Sequence, residues 1–137
     1  MNEGEVRAGL PATPQYLYAQ QVGDELFLAG QVPNDALGHI VAHGDSQAQA
    51  TQCLLNLRTV LAVHGFTTKD IKRLVVYVVG EQVALSAAWT AVTEFFNGTV
   101  PPATLLGVAR LGYDGQLVEV DATVLKAVPP PLANGDA

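Results

Sequence analysis

Nine residues, Ile71 to Val79 (IKRLVVYVV), form a run of strand length with apolar side chains on both faces. A strand of that kind has no side to turn to water. It must lie inside a sheet that is covered above and below, or present its second face to another subunit. Composition points the same way, because 49 % hydrophobic against 15 % charged residues leave little polar material to cover a monomer of 137 residues. Part of the apolar surface is therefore expected in an interface between subunits. A chain of this length makes one domain and needs neither disulfide nor metal to hold it together. Its single cysteine, Cys53, has no partner within the chain. With no signal-like segment and no apolar run of membrane length, a soluble cytoplasmic protein without a membrane partner is expected.

Seven basic against thirteen acidic residues give a net charge of −6, the wrong sign for neutralising phosphates, so nucleic acid is excluded as an expected partner. Arg58, Lys69, Lys72, Arg73, Arg110 and Lys126 form no run with interleaved aromatics. The chain has no Gly-rich phosphate loop, no GxSxG elbow, no CxxC and no internal repeat, and no cofactor is expected. His39 and His43 lack a third ligand at a characteristic spacing, which leaves them as solvated loop residues with no metal site. His64 suits the last turn of a helix, where a positive charge is favoured.

Residues 1–14 lack periodicity and read as a flexible arm, 15–127 as the domain, and 128–137 (with Pro129, Pro130 and Pro131) as a Pro-rich tail. Tyr16 to Val22 alternates and is followed by Gly23-Asp24 and a second strand, a tight hairpin in which Tyr16 and Tyr18 share a face. Gly30 interrupts that second strand, at a bulge or where a ligand or another backbone approaches closely. His39 to Ala42 (HIVA) is too short to be more than an edge strand. Asp45 or Ser46 caps a helix that stops at Gly65, with Ala50, Leu54, Leu57 and Leu61 as its apolar stripe and Cys53 packed beside it. A second helix spans Gln82 to Phe96, with Val83, Leu85, Trp89, Val92 and Phe96 facing inward; Trp89 either fills the core or walls a pocket.

Two closing strands, Thr104–Arg110 and Leu117–Leu125, flank turn chemistry at Gly112, Asp114 and Gly115, and an antiparallel pair is the natural reading. On the last strand Val118, Val120, Ala122 and Val124 share one face while Glu119 and Asp121 share the other, about 7 Å apart. That pair either holds a water or small polar ligand or faces solvent. The whole reads as an α+β domain whose mixed sheet has two helices on one face. The other face needs a partner.

The order of elements, with FLAGQVPND, QAQATQCLLNLRTVLAVHGF, IKRLVVYVVG and above all PPATLLGVARLGYDGQLVEVDATV, resembles the Rid/YjgF family of reactive-intermediate deaminases over nearly all of residues 15–127. The resemblance implies a chorismate-mutase-like fold and a homotrimer with small-molecule clefts between subunits. It also implies that a glutamate of the last strand, matched by Glu119, holds the water that hydrolyses an imine or enamine. Gly30 matches the glycine of the second strand. Tyr16 matches a cleft tyrosine, with Tyr18 as the alternative. In the family's deaminases an arginine after Pro-Ala grips the substrate carboxylate, but here that position is Ala103 or Thr104. Arg110, further along the strand, or a neighbouring subunit's cation is the candidate to replace it.

A charge-assisted hydrogen bond to a carboxylate contributes about 1.5–3 kcal/mol, so its loss weakens binding of an acid about tenfold to a hundredfold. The resemblance therefore implies a hydrolase of an imine or enamine that is not a simple amino-acid-derived acid. The alternative is a trimer that binds a small molecule or partner without catalysis. The label of endoribonuclease used for the family fits poorly with the acidic composition.

Overall fold

The computed structural model describes residues 1–127; the tail at 128–137 lies outside the described residues. Strands β1 (Ala19–Val22) and β2 (Glu25–Leu28) form the expected hairpin, with Val22 opposite Glu25 and Gly23 at φ 61° in the turn. Helix α2 (Ser46–Val63) follows, capped by Asp45, whose carboxylate accepts the Ala48 N–H. It stops where Gly65 takes a positive φ and Phe66 N–H reaches back to Leu61 O. After a short 3-10 turn come β3 (Ile71–Val79), α3 (Gln82–Phe95), β4 (Ala103–Val108) and β5 (Val118–Leu125). The result is a mixed α+β fold, a five-stranded sheet in the order β1-β2-β5-β3-β4.

The expected pairing of the two closing strands is wrong. β5 runs antiparallel to β3, β4 runs parallel to β3, and β3 lies between them. The cause is the doubly apolar run itself. A strand with no polar face gains most when both its edges are hydrogen-bonded, and the connection through α3 brings β4 back parallel to it. Leu74, Val76 and Val78 are fully buried under α2 and α3, in one cluster with Leu54, Leu57, Leu61, Ala88 and Val92. Each such side chain contributes about 1.5–3 kcal/mol relative to exposure. Val75, Tyr77 and Val79 turn to the opposite face, which holds the exposed Phe27, Val22 and Leu125 and carries no helix among the described residues.

Several local expectations also change. Val83 is 79 % exposed, and Ala88 and Ala91 take the inner positions of α3 beside Val92, with Leu85 and Trp89 packed at the margin of the core. Phe96, the C-cap residue, does pack against the core as expected. Ile40 forms one bridge to Asn34 and no strand. β1 begins at Ala19, so Tyr16 and Tyr18 do not share a strand face: Tyr18 is buried with Leu10 and Val60 while Tyr16 reaches outward.

The segment expected to be a loose arm is packed. Residues Glu3–Arg7 form helix α1 against α2. The buried Asn2, at φ 63°, donates to Thr13 Oγ1 (2.7 Å) and Tyr16 O (3.0 Å) and accepts from Tyr18 N (3.1 Å). Buried Glu5 meets His64 Nε2 at 2.6 Å, a contact made beyond the last turn of α2. These are long-range contacts, invisible to a search for local period.

A fully buried glutamine secures the 109–117 connection. Gln49 Nε2 donates to Val41 O (3.1 Å) and Gly115 O (2.9 Å), and its carbonyl accepts the Leu117 N–H (2.7 Å). Gln49→Leu is expected to lower stability by about 2–5 kcal/mol, because each buried backbone group left without a partner costs about 1–3 kcal/mol. Urea unfolding checks this: the midpoint should fall with an unchanged slope.

Candidate functional site

β2 and β5 pair through Leu26 and Val124, and contact resumes where Gln31 exchanges both backbone hydrogen bonds with Val120. Five residue steps on one strand face four on the other, so one residue is extra and the ladder opens as a bulge around Ala29 and Gly30. Gln31, itself buried, returns its amide to Ala29 O (2.7 Å) and so satisfies a carbonyl that the ladder has lost.

Glu119 fills the opening. A Cβ on Gly30 would overlap Glu119 Oε2 and stand 2.9 Å from its carboxyl carbon. Gly30 thus sits in the bulge and is also closely approached, by a side-chain carboxylate rather than by a ligand or another backbone. Gln116, 4 % exposed, holds the other oxygen: its Nε2 donates to Glu119 Oε1 (3.1 Å) and Val118 O (3.1 Å), while its carbonyl accepts the Tyr113 N–H (3.2 Å). Two acceptors on one side of the amide and a donor on the other leave a single orientation for it. Glu119 therefore has one oxygen anchored and one presented at a hollow of about 210 Å³ lined by Leu28, Gly30, Tyr77, Leu111 and Asp121. Asp121 lies two residues along the same face, one oxygen accepting from the Ala122 N–H.

The other candidate residues divide. Tyr18 belongs to the core, its hydroxyl donating to Pro11 O (2.7 Å), and burial, aided by the negative charge of Glu5, pushes the phenol up to about 12. Tyr16 does not line the Glu119 hollow either, although the charge of Glu119 reaches it. Its hydroxyl lies 3.3 Å from that of Tyr113, and burial first, then this hydrogen bond, drive its pKa well above the ordinary range. Ala103 packs against the core, whereas Thr104, opposite Val75, faces the open side and accepts from Arg73 Nη2 (2.8 Å). Arg110 lies beyond the end of β4, exposed, and does not line the hollow; Trp89 packs on the helical side of the sheet. Neither joins Glu119 within one chain.

Gln116, Tyr113 and Arg73 escaped the reading of the sequence. A buried glutamine carries no local signature, and Tyr113 was masked by the turn residues around it. Cys53 is fully buried with its thiol toward Val118 O (3.6 Å), and desolvation raises its pKa far above the usual thiol value, which leaves it unreactive. Among the described residues no group of His, Cys, Asp or Glu is arranged to hold a metal, and no helix is long and apolar enough to cross a membrane.

A family model described as Endoribonuclease L-PSP matches residues 7–126. The chain is 28 % identical to a RutC family protein of Pyrococcus horikoshii, over 81 % of this chain and 86 % of that protein. It is also 28 % identical to the 2-iminobutanoate/2-iminopropanoate deaminase of Salmonella typhimurium, over 81 % of this chain and 87 % of the relative. Among solved structures, the YjgF gene product of Escherichia coli superposes with a TM-score of 0.77 at 25 % identity, covering 88 % of this chain and 95 % of that one.

Gly30→Ala is expected to leave the sheet intact while displacing the Glu119 carboxylate, at a cost of about 1–3 kcal/mol for the forced overlap. Thermal unfolding gives the stability. A crystal structure of the variant gives the carboxylate, which should have left Gln116.

Proposed function

The chain belongs to the endoribonuclease L-PSP family, the Rid/YjgF proteins, and on that membership we propose that it is a homotrimer whose intersubunit clefts hydrolyse an imine, enamine or related labile intermediate other than a simple amino-acid-derived acid. The observation that carries this reading is the Glu119 carboxylate, anchored through one oxygen by Gln116 and open through the other to the hollow. A carboxylate so held takes a proton from water as the oxygen adds to the C=N carbon and hands that proton to the nitrogen, giving a carbinolamine. As the carbinolamine collapses, its hydroxyl proton passes through the same carboxylate to the nitrogen while the C–N bond breaks, releasing a carbonyl compound and the amine or ammonia.

Exclusion of small acids rests on charge and distance. The hollow holds Glu119 and Asp121 and no cation, so an anionic substrate meets repulsion. The Arg73 guanidinium is tied to Thr104 of β4, across β3 from Glu119, two strand spacings or about 10 Å away. A small imino acid does not span that distance within one subunit. The open face of the sheet, with Phe27, Val75, Tyr77 and Val79, supports assembly, since a free monomer would leave it wet. The ribonuclease of the family description finds no support in a net charge of −6.

Light scattering should give three times the chain mass at micromolar concentration. 1-Pyrroline, a cyclic imine without a carboxylate, should be hydrolysed faster than 2-iminopropanoate released in a coupled assay, and Glu119→Gln should slow turnover about 10²-fold or more with the assembly intact. Monomer mass would remove the cleft from the proposal. Fast turnover of 2-iminopropanoate that Arg73→Ala abolishes would show that this arginine, brought from another subunit, grips acids after all. Binding without turnover would make the protein a carrier.

A further inference from the structure

A second hollow, of about 290 Å³, lies between the segment Pro11–Tyr16 on one wall and Asn34, Gly38 and Tyr113 on the other. Its size is at the small end of ligand pockets, about 300–1,000 Å³. That is room for one or two rings. None of its lining residues is charged.

One wall is built in advance. Pro11 and Pro14 limit the backbone, Asn2 ties down Thr13 and Tyr16, the Thr13 hydroxyl donates to Tyr16 O (2.8 Å), and Tyr18 holds Pro11 O. A wall ordered before binding has little entropy left to lose. The packed N-terminal segment thus has a role beyond covering α2.

The polar groups facing this space are neutral. Asn34 Oδ1 accepts from Asn56 (3.1 Å), which fixes the amide and leaves its NH₂ free to donate. The hydroxyls of Tyr16 and Tyr113 meet at 3.3 Å, and since one donates to the other, one proton is left over for a ligand. The raised pKa of Tyr16 keeps that hydroxyl protonated throughout the neutral range. Neutral donors beside two tyrosine rings, of which Tyr113 is 47 % exposed, suit a ring bearing an uncharged acceptor such as a carboxamide oxygen or a ring nitrogen.

The two hollows are joined by one loop. Leu111 lines the Glu119 hollow, Tyr113 lines the second, and the Tyr113 N–H is held by the same Gln116 that anchors Glu119. The charge of Glu119 is also felt at the Tyr16 hydroxyl.

We propose that the hollow between Pro11–Tyr16 and Tyr113 is a binding compartment for the uncharged ring of a substrate whose labile C=N end lies at Glu119, with Asn34 and the tyrosine pair hydrogen-bonding the ring's acceptor. The compartment rests on the reading of Glu119 as the reacting end only for its link to chemistry; ring binding stands apart from turnover. It assigns the substrate class as a neutral aromatic or heteroaromatic imine, larger than the imines of simple amino acids.

The test uses the full-length protein and three probes of one shape, benzamide, benzoate and benzylamine, followed by amide and tyrosine-ring NMR shifts. Benzamide should saturably shift Tyr16, Tyr113 and Gly38, with benzoate at least tenfold weaker. Ala12→Phe, at an exposed position on the wall, should abolish the shifts while circular dichroism stays unchanged, and Tyr113→Phe should weaken binding several-fold. Glu119→Gln should narrow the gap between benzamide and benzoate by removing the nearby charge. Absence of saturable shifts, benzoate or benzylamine binding as well as benzamide, or binding indifferent to Ala12→Phe would overturn the compartment. A gap unmoved by Glu119→Gln would overturn its link to the carboxylate. Turnover of 1-pyrroline is a separate readout, so loss of one reading does not mimic loss of the other.

Discussion

A strand without a polar face has to be hydrogen-bonded on both edges, and that requirement at Ile71–Val79 sets the rest of the molecule. With β3 between β4 and β5, the chain leaving β4 cannot turn tightly into β5. It has to pass over the end of β3, and the 109–117 connection is the result. That connection delivers Leu111 to one hollow, Tyr113 to another and Gln116 to the carboxylate. The position of β3 and the chemistry proposed at Glu119 are thus consequences of one hydrophobic pattern, the first through burial and the second through the detour it imposes.

Buried amides then turn that detour into a defined structure. Gln49 pins the loop to α2, Gln116 pins the loop to β5, and Gln31 repairs the carbonyl that the bulge exposes. An amide suits these posts because it offers donors and acceptor at once without charge, so desolvating it costs less than desolvating an ion. A lysine or glutamate at Gln116 would supply only one kind of group and bring a charge beside Glu119.

The hairpin, the cap and stripe of α2, the two-faced β3 and the alternation that aims Glu119 away from the core were all legible, because each is written in spacings of two to four residues. The pairing of β4 with β3 was not legible. Gly112, Asp114 and Gly115 announce a turn but say nothing about what lies between the strands it joins. The packing of α1 was hidden for a similar reason, since its anchors, Asn2 with Thr13 and Tyr18 and Glu5 with His64, are remote in the chain. The candidate site was half legible. Glu119 and Gly30 each stand out in the sequence but nothing there says that they touch, while Trp89 and Arg110 turn elsewhere and the cation bonded to Thr104, Arg73, comes from a different strand.

The bulge at Ala29 and Gly30 bears on how such a chain could change over generations. Because the ladder resumes at Gln31 and Val120 with one residue to spare on the β2 side, deletion of a single codon there would equalise the two strands and let β2 zip onto β5 without a break. Backbone groups now satisfied by Gln31 would find partners in the sheet, and the space that admits Glu119 would close. Loss of the site is therefore a short mutational step toward a more regular sheet, whereas gaining it requires an insertion that breaks hydrogen bonds before any compensating contact exists. Persistence of the extra residue in a lineage would be a mark of selection on the carboxylate, readable from gap patterns alone.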